Sequence, residues 1–69
     1  MNKYNFINIG EKIVNPQYIL YIEECIGLGE YKNKFGIKIH LTNGVIYEWF
    51  DSINERHNAM YNLLSLLNQ

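Results

Sequence analysis

Residues 35–50 read FGIKIHLTNGVIYEWF, and this stretch decides the fold. Two apolar, β-rich runs lie on either side of Asn43-Gly44, which suits the two-residue type I′ turn because both central residues need positive φ. The stretch therefore predicts a hairpin with strands at roughly 35–42 and 45–50. The turn places Thr42 opposite Val45 and sets four further pairs: His40 with Tyr47, Ile39 with Glu48, Lys38 with Trp49, and Ile37 with Phe50.

Side chains of a strand alternate between the two faces of its sheet, so the hairpin predicts two faces of different character. One face is almost entirely apolar and is the predicted core face. Glu48 is the one charged residue on it, and we expect this side chain near a sheet edge or against a partner. The apolar residues of the core face are Ile37, Ile39, Leu41, Ile46 and Phe50.

Two further β-rich runs, at roughly 4–9 and 17–26, precede the hairpin. Gly10 and the Asn15-Pro16 pair separate them. The residue before a proline avoids the helical region, and proline lacks an N–H for a strand ladder. The two runs are therefore predicted to be the first and second strands of the sheet.

The last stretch, roughly 53–67, changes to helical spacing. Ser52-Ile53-Asn54-Glu55 has the pattern of a capping box, in which Ser52 caps the helix and Glu55 reaches back to the backbone of Ser52. A helix is therefore predicted here, with an apolar stripe that faces the sheet. The stripe contains Ile53, Met60, Leu63, Leu64 and Leu67.

These elements predict an α+β fold for the 69 residues, as one small domain. The expected architecture is a four-stranded antiparallel β-meander with one C-terminal helix packed on one face, in the order ββββα. A single helix covers one side of such a sheet, so we expect the other face to stay open.

The charge balance argues against several classes of partner. Six Lys and Arg residues stand against seven Asp and Glu, for a net charge of -1. Double-stranded DNA is excluded as a partner, because its binding requires a basic stripe that neutralises phosphates. No apolar stretch approaches the ~20 residues that span a bilayer, and residues 1–15 lack a signal-peptide pattern. We therefore expect a cytoplasmic protein without membrane association.

The residues that could carry chemistry are few and are poorly arranged for it. Cys25 is the only cysteine, and the negative charges of Glu23 and Glu24 beside it disfavour a reactive thiolate. The two carboxylates are adjacent in a strand and point to opposite faces, so they cannot act on one substrate atom. The two histidines, His40 and His57, are expected on different elements. We predict no enzymatic activity, no metal site and no cofactor.

The open sheet face is the candidate functional surface. Trp and Tyr are enriched at the energetic centres of protein interfaces, and this face carries both. A neighbouring strand is expected to add Tyr21 or Tyr18. The alternative is that the face packs against the loop at 10–16 or the loop at 30–34 of the same chain. The predicted partner-binding surface consists of Lys38, His40, Val45, Tyr47 and Trp49.

The size of the chain favours self-association. With a single cysteine no internal disulfide is possible, and roughly 70–80 residues is the length at which one core begins to suffice. We therefore expect a homodimer at micromolar concentration. It would use the Tyr47/Trp49 face or an unpaired strand edge.

One pattern combines Asn15, Ile19, Ile22, Glu23 and Glu24 with the later run Ile39-His40-Leu41-Thr42-Asn43-Gly44. It resembles that of the small flagellar FlbD/SwrD-like proteins of bacteria and covers about 30 of the 69 residues. The resemblance implies a small bacterial β-rich protein linked to motor function, and it assigns no functional residue. The loop at 27–34 and the strand at 47–50 depart from the family's pattern.

Three functions of different classes fit these expectations. The leading hypothesis is an adaptor or inhibitor that binds another protein. Ten Asn and ten Ile against one Arg favour an AT-rich source, so one form of this hypothesis is a phage-encoded protein directed at a host system. The first alternative is a single-stranded nucleic-acid-binding module that stacks unpaired bases on Trp49 and Tyr47, although it lacks the usual basic groove. The second is a binder of a small ligand, such as a nucleotide signal, at a dimer interface.

Overall fold

The computed structural model describes residues 6–68 as a small α+β fold with one C-terminal helix. Short 3₁₀ turns at Pro16–Tyr18 and Gly29–Tyr31 connect some of the strands. The first two residues of the strand predicted at 4–9 lie outside the described residues. The regular elements are β1 (Ile7–Ile9), β2 (Lys12–Val14), β3 (Ile19–Ile26), β4 (Phe35–Leu41), β5 (Gly44–Phe50) and α1 (Ile53–Leu67).

The strands form two antiparallel sheets, one of β1 and β2 and one in the order β3-β4-β5. The predicted single four-stranded meander is therefore wrong. The first strand does not pair with the strand predicted at 17–26 but folds back onto Lys12–Val14, with Ile9 opposite Lys12. The reason is Gly10, whose φ of +61° supplies the positive φ that a type II′ turn requires at its first central position. A glycine that was interpreted as a break is thus the turn of a hairpin.

The register of the β4–β5 hairpin differs from the predicted one by two residues. Leu41 lies opposite Gly44, so the turn is centred on Thr42 and Asn43. Neither of these two residues has positive φ, and the predicted type I′ turn at Asn43-Gly44 is wrong. Because side chains alternate with a period of two, a two-residue slip changes the paired residues but keeps every side chain on its face. The observed pairs include His40 with Val45, Lys38 with Tyr47, Ile37 with Glu48, and Gly36 with Trp49.

The predicted core face is confirmed. Ile37, Ile39 and Ile46 are buried, and Ile39 is completely inaccessible to solvent at 0% exposure. Leu41 and Phe50 are partly buried and pack against this cluster. Non-directional burial of apolar area on this one face is therefore the main source of stability.

Two elements cover the core face, rather than the helix alone. The β1–β2 hairpin contributes Ile7, Ile9 and Val14 to the same cluster, and α1 contributes Leu63. Because the hairpin occupies part of the face, the helix buries a narrower stripe than predicted. Met60, Leu63 and Leu67 pack toward the core, whereas Ile53 and Leu64 remain 57% and 46% exposed.

Glu48 lies on β5, which is an edge strand of the three-stranded sheet, as expected for a charge on the core face. Its carboxylate lies against the turn between β1 and β2. A Cβ atom built on Gly10 would stand 2.1 Å from Oε2 of Glu48, so a larger residue would displace this carboxylate and would also have to adopt the positive φ. The turn glycine thus serves both the hairpin conformation and the placement of this charge.

The helix begins at Ile53 with Ser52 as its N-cap, and it ends at Leu67. The Ser52 hydroxyl oxygen accepts the backbone N–H of Glu55 at 3.1 Å. The hydroxyl donates to Oε2 of Glu55 at 3.2 Å, whereas the capping-box prediction gave Glu55 a bond to the Ser52 backbone. No helix within residues 6–68 is long and apolar enough to cross a membrane.

Arg56 fastens the start of α1 to the end of β3. Its Nη1 donates to the backbone carbonyl of Cys25 at 3.0 Å, and its Nη2 lies 3.7 Å from Oε1 of Glu24. The guanidinium also lies over the ring of Phe35, 5.7 Å from its centroid. A largely buried cation is thereby matched with an acceptor, a carboxylate and an aromatic face.

Replacement of Leu63 by Ala is expected to lower the free energy of unfolding by about 2–5 kcal/mol, because it leaves a cavity in the core. Leu64→Ala is the matched control, and its loss should be much smaller because Leu64 is 46% exposed. Urea unfolding followed by Trp49 fluorescence at submicromolar protein concentration measures both. Equal losses in the two variants would contradict the assigned helix orientation.

Removal of the N-cap in Ser52→Ala is expected to destabilise the protein by about 0.5–2 kcal/mol, because the N–H of Glu55 loses its acceptor. Ser65→Ala, on an exposed part of the same helix, serves as the control. It should leave stability unchanged or slightly raised, since alanine has the highest helix propensity. Thermal unfolding followed by circular dichroism compares the two, and a Ser52→Ala curve that overlays the Ser65→Ala curve would refute the cap.

Candidate functional site

The face of the three-stranded sheet that points away from α1 and from the β1–β2 hairpin is here called the outer face. It contains the partner-binding surface that was predicted from the sequence. The antiparallel registers align its strand residues in three rows across β3, β4 and β5. The rows are Tyr21–His40–Val45, Glu23–Lys38–Tyr47 and Cys25–Gly36–Trp49.

The structure places all five predicted surface residues on the outer face. Val45 and Tyr47 are 46% and 47% exposed, whereas Lys38, His40 and Trp49 are half-buried. Of the two tyrosines considered for the neighbouring strand, Tyr21 joins the face. Tyr18 lies in the 3₁₀ turn before β3, outside the three rows.

Trp49 lies across the backbone of Gly36. A Cβ atom on Gly36 would stand 2.6 Å from Cζ3 of Trp49 and 2.7 Å from Sγ of Cys25. No side chain larger than hydrogen fits there without displacing the indole or the thiol. The glycine thus lets the indole lie close to the sheet and against Cys25.

Three aromatic rings form a stacked series along one side of the outer face. Tyr31, from the 3₁₀ turn between β3 and β4, stacks on Trp49 with centroids 4.8 Å apart and planes at 17°. Tyr47 lies parallel to Trp49 at 3°, with centroids 5.7 Å apart. The loop at 30–34 therefore covers one end of the outer face. This agrees in part with the alternative prediction that the face packs against this loop, but Tyr47 and Val45 remain exposed.

His40 is held from two directions. Its imidazole stacks on Tyr21 with centroids 3.9 Å apart, and Nε2 lies 2.6 Å from Oε1 of Glu23. The predicted cross-strand partner of His40, Tyr47, is wrong because of the two-residue register slip. Val45 takes that position instead. The imidazole is thus fixed by a stacking contact and a carboxylate within the same face.

Lys38 lies at the centre of the outer face, between Glu23 and Tyr47 in its row. Its Nζ is 5.6 Å from the centroid of the Tyr47 ring. A side-chain hydrogen bond with Tyr47 raises the pKa of Lys38 above its ordinary value of 10.5, so the ammonium stays charged at neutral pH. Lys38 and Glu23 bring opposite charges to one row, which leaves the middle of the face close to neutral.

The outer face does not bring the thiol of Cys25 to the imidazole of His40. Cys25 and His40 lie two rows apart, which is about 13 Å along the strands at ~3.3 Å per residue. Glu23 contacts His40 on the outer face, and Glu24 contacts Arg56 on the opposite side. Among residues 6–68 no group of three His, Cys, Asp or Glu side chains is placed to hold a metal ion.

Four residues of the outer face were missed from the sequence, namely Glu23, Cys25, Tyr31 and Gly36. A lone glycine within a strand pattern marks a close approach of other groups to the backbone, so Gly36 could have been identified. Tyr31 carried no such signal, because a loop residue has no periodicity. The places of Glu23 and Cys25 depended on the register between β3 and β4.

Comparison of this chain with protein-family models, with curated proteins and with solved structures finds no match. The resemblance to the flagellar FlbD/SwrD-like proteins therefore stays a prediction from the sequence. The residues of the outer face have to be interpreted from their own geometry and chemistry.

Replacement of Gly36 by Ala is expected to displace the indole of Trp49 and to lower stability by about 1–3 kcal/mol through overpacking. Because Trp49 is the single tryptophan, the displacement should appear directly as a shift of the fluorescence emission maximum. Gly44→Ala is the matched control, since a Cβ there meets nothing within 4 Å. Identical emission spectra and stabilities for the two variants would contradict the close contact between Trp49 and Gly36.

Proposed function

We propose that this chain is a non-catalytic cytoplasmic protein that binds another protein through the outer face, as an adaptor or an inhibitor. The observation that carries the proposal is the stacked series of Tyr31, Trp49 and Tyr47 on a sheet face that neither α1 nor the β1–β2 hairpin covers. Exposed aromatic surface of this kind is characteristic of interaction sites.

The aromatic side chains are already held in place in the free protein, so binding would cost little conformational entropy. Trp49 contacts both Tyr31 and the backbone of Gly36, and His40 contacts both Tyr21 and Glu23. Side chains that are already fixed in the free protein lose less conformational freedom when a partner binds. The half-buried Trp49 then supports its more exposed neighbour Tyr47, which we propose as the central contact.

The charges favour a protein over a nucleic acid as partner. Lys38 is the one lysine or arginine among the nine strand residues of the outer face, and Glu23 stands beside it. Phosphate binding needs several cations, and base stacking needs ring faces that are free. Here the faces of Trp49 are directed at Tyr31 and Tyr47. The surface fits a partner patch that is apolar at its centre and carries little net charge.

Tyr47→Ala is expected to weaken binding of the partner about 10- to 100-fold, as loss of an interface hot spot does. The partner is first captured with the tagged protein from its source cells, and the affinity is then measured with both proteins purified. Tyr61→Ala, on an exposed face of α1, is the control and should leave the affinity unchanged. Equal affinities of both variants and the wild type would exclude the outer face as the binding site.

Titration of the protein with a fluorescent single-stranded oligonucleotide tests the alternative function, nucleic-acid binding. With a net charge of -1, the protein is expected to bind it no tighter than about 10 μM at physiological salt. Submicromolar binding that falls steeply with salt and is lost in Trp49→Ala would replace the proposed function with nucleic-acid binding.

A further inference from the structure

A cavity lies over the core face of the three-stranded sheet, between the β1–β2 hairpin and α1. It has a volume of about 230 Å³. Two side chains of β4, Ile37 and Ile39, line it from the sheet and are 2% and 0% exposed. The hairpin contributes Ile9, and the helix contributes Ala59 and Leu63. This core-face pocket is therefore built mainly from the apolar cluster that holds the fold together.

One charged side chain lines the core-face pocket. Glu48 on β5 points to the core side, with its carboxylate close to Gly10 in the turn of the hairpin. Within residues 6–68 this carboxylate has neither a hydrogen bond nor an ion pair, whereas Glu23 and Glu24 are each paired. A half-buried carboxylate without a partner is costly, because it has lost part of its hydration without gaining a compensating bond.

A charge on the core side of an edge strand also keeps that edge from pairing with another strand. That role requires the charge alone and no space beside it. Here the carboxylate of Glu48 borders a cavity whose remaining lining is apolar, apart from Gly10 and the carboxamides of Asn8 and Asn62. An unpaired negative charge at an apolar space matches a ligand that supplies both a cation and an apolar group.

We propose that the core-face pocket binds a small hydrophobic amine, with its ammonium on Glu48 and its apolar group against Ile37 and Ile39. The attraction between the two charges is stronger at a partly desolvated site than in water, because the effective dielectric constant is lower. A primary ammonium has three N–H donors, and the carboxamide oxygens of Asn8 and Asn62 are further acceptors in the lining of the pocket.

The volume of the pocket sets the size of the ligand. An apolar cavity of about 150 Å³ is large enough to bind benzene. The volume of about 230 Å³ therefore leaves room for one six-membered ring and an aminomethyl group. A nucleotide does not suit this pocket, because it is larger and its phosphates would be repelled by Glu48. Benzylamine has the required size and is positively charged at neutral pH, so it serves as the probe.

Titration of the nitrogen-15-labelled protein with benzylamine, followed by NMR, tests the pocket. We expect saturable shift changes at the backbone amide of Gly10 and the side-chain amide of Asn62, with a Kd of about 1 mM or below. Benzyl alcohol has the ring without the charge, and methylammonium has the charge without the ring. Each should bind at least about 10-fold more weakly. Equal affinities for benzylamine and benzyl alcohol would overturn the role of the charge.

Glu48→Gln removes the charge with little change of shape and should weaken benzylamine binding at least about 10-fold. Glu11→Gln is the matched control, because it changes the net charge equally and its exposed side chain lies in the same turn but outside the pocket. Screening by solvent should keep its effect below about 2-fold. Equal benzylamine affinities of these two variants would overturn the assignment of Glu48.

A second variant acts through space rather than charge. Ala59→Leu places a larger apolar side chain on the helix side of the pocket and should abolish benzylamine binding, although Glu48 is unchanged. The NMR spectrum of each variant without ligand shows whether it is folded. Retained affinity in folded Ala59→Leu protein would place the amine elsewhere.

The absence of saturable shift changes up to about 10 mM benzylamine would overturn the pocket, and so would changes confined to the outer face. Tyr47→Ala should leave the benzylamine affinity unchanged, since the outer face is the opposite face of the sheet. A protein that binds its captured partner but not benzylamine would contradict this inference alone. Binding of benzylamine without any effect of Tyr47→Ala on the partner would contradict only the proposed function.

Discussion

Burial of Ile37 and Ile39 on one face of β4 is the constraint on which the rest of the structure depends. Among residues 6–68, β4 is the one strand with neighbours on both sides, and Ile39 at its centre is fully inaccessible. The helix and the β1–β2 hairpin both pack against the cluster that these side chains begin. Because covering this face takes both elements, little of the described chain remains to cover the opposite face.

The side chains of the outer face are held in place by contacts that lie outside the hydrophobic core. Gly36 admits the indole of Trp49, Tyr31 stacks on it from the loop, and Glu23 holds His40. Such contacts fix side chains that solvent still reaches. A small sheet with one buried face can therefore present a rigid aromatic surface on the other, without any further layer of structure.

Much of the fold was predictable from the sequence, and the errors have definite physical causes. The two faces of the hairpin follow from period-two alternation, and they survive the two-residue slip of its register because the slip is an even number. The β1–β2 hairpin was missed because three-residue strands carry almost no periodic signal and Gly10 serves equally as a break or a turn. Leu63 and Leu64 cannot be ranked from helical spacing alone, since that requires knowing what shares the core face.

The sequence by itself determined which residues of β4 and β5 point inward and that Ser52 caps the start of the helix. It also determined that the outer face holds Lys38, His40, Val45, Tyr47 and Trp49. These properties depend on alternation and on capping, which are local. Only the tertiary structure decided that Tyr21 rather than Tyr18 joins the face, and that Tyr31 covers Trp49. It also decided that Glu48 lies beside Gly10. Each of these contacts joins residues far apart in the chain, so they depend on strand register and on the path of loops, which no local pattern encodes.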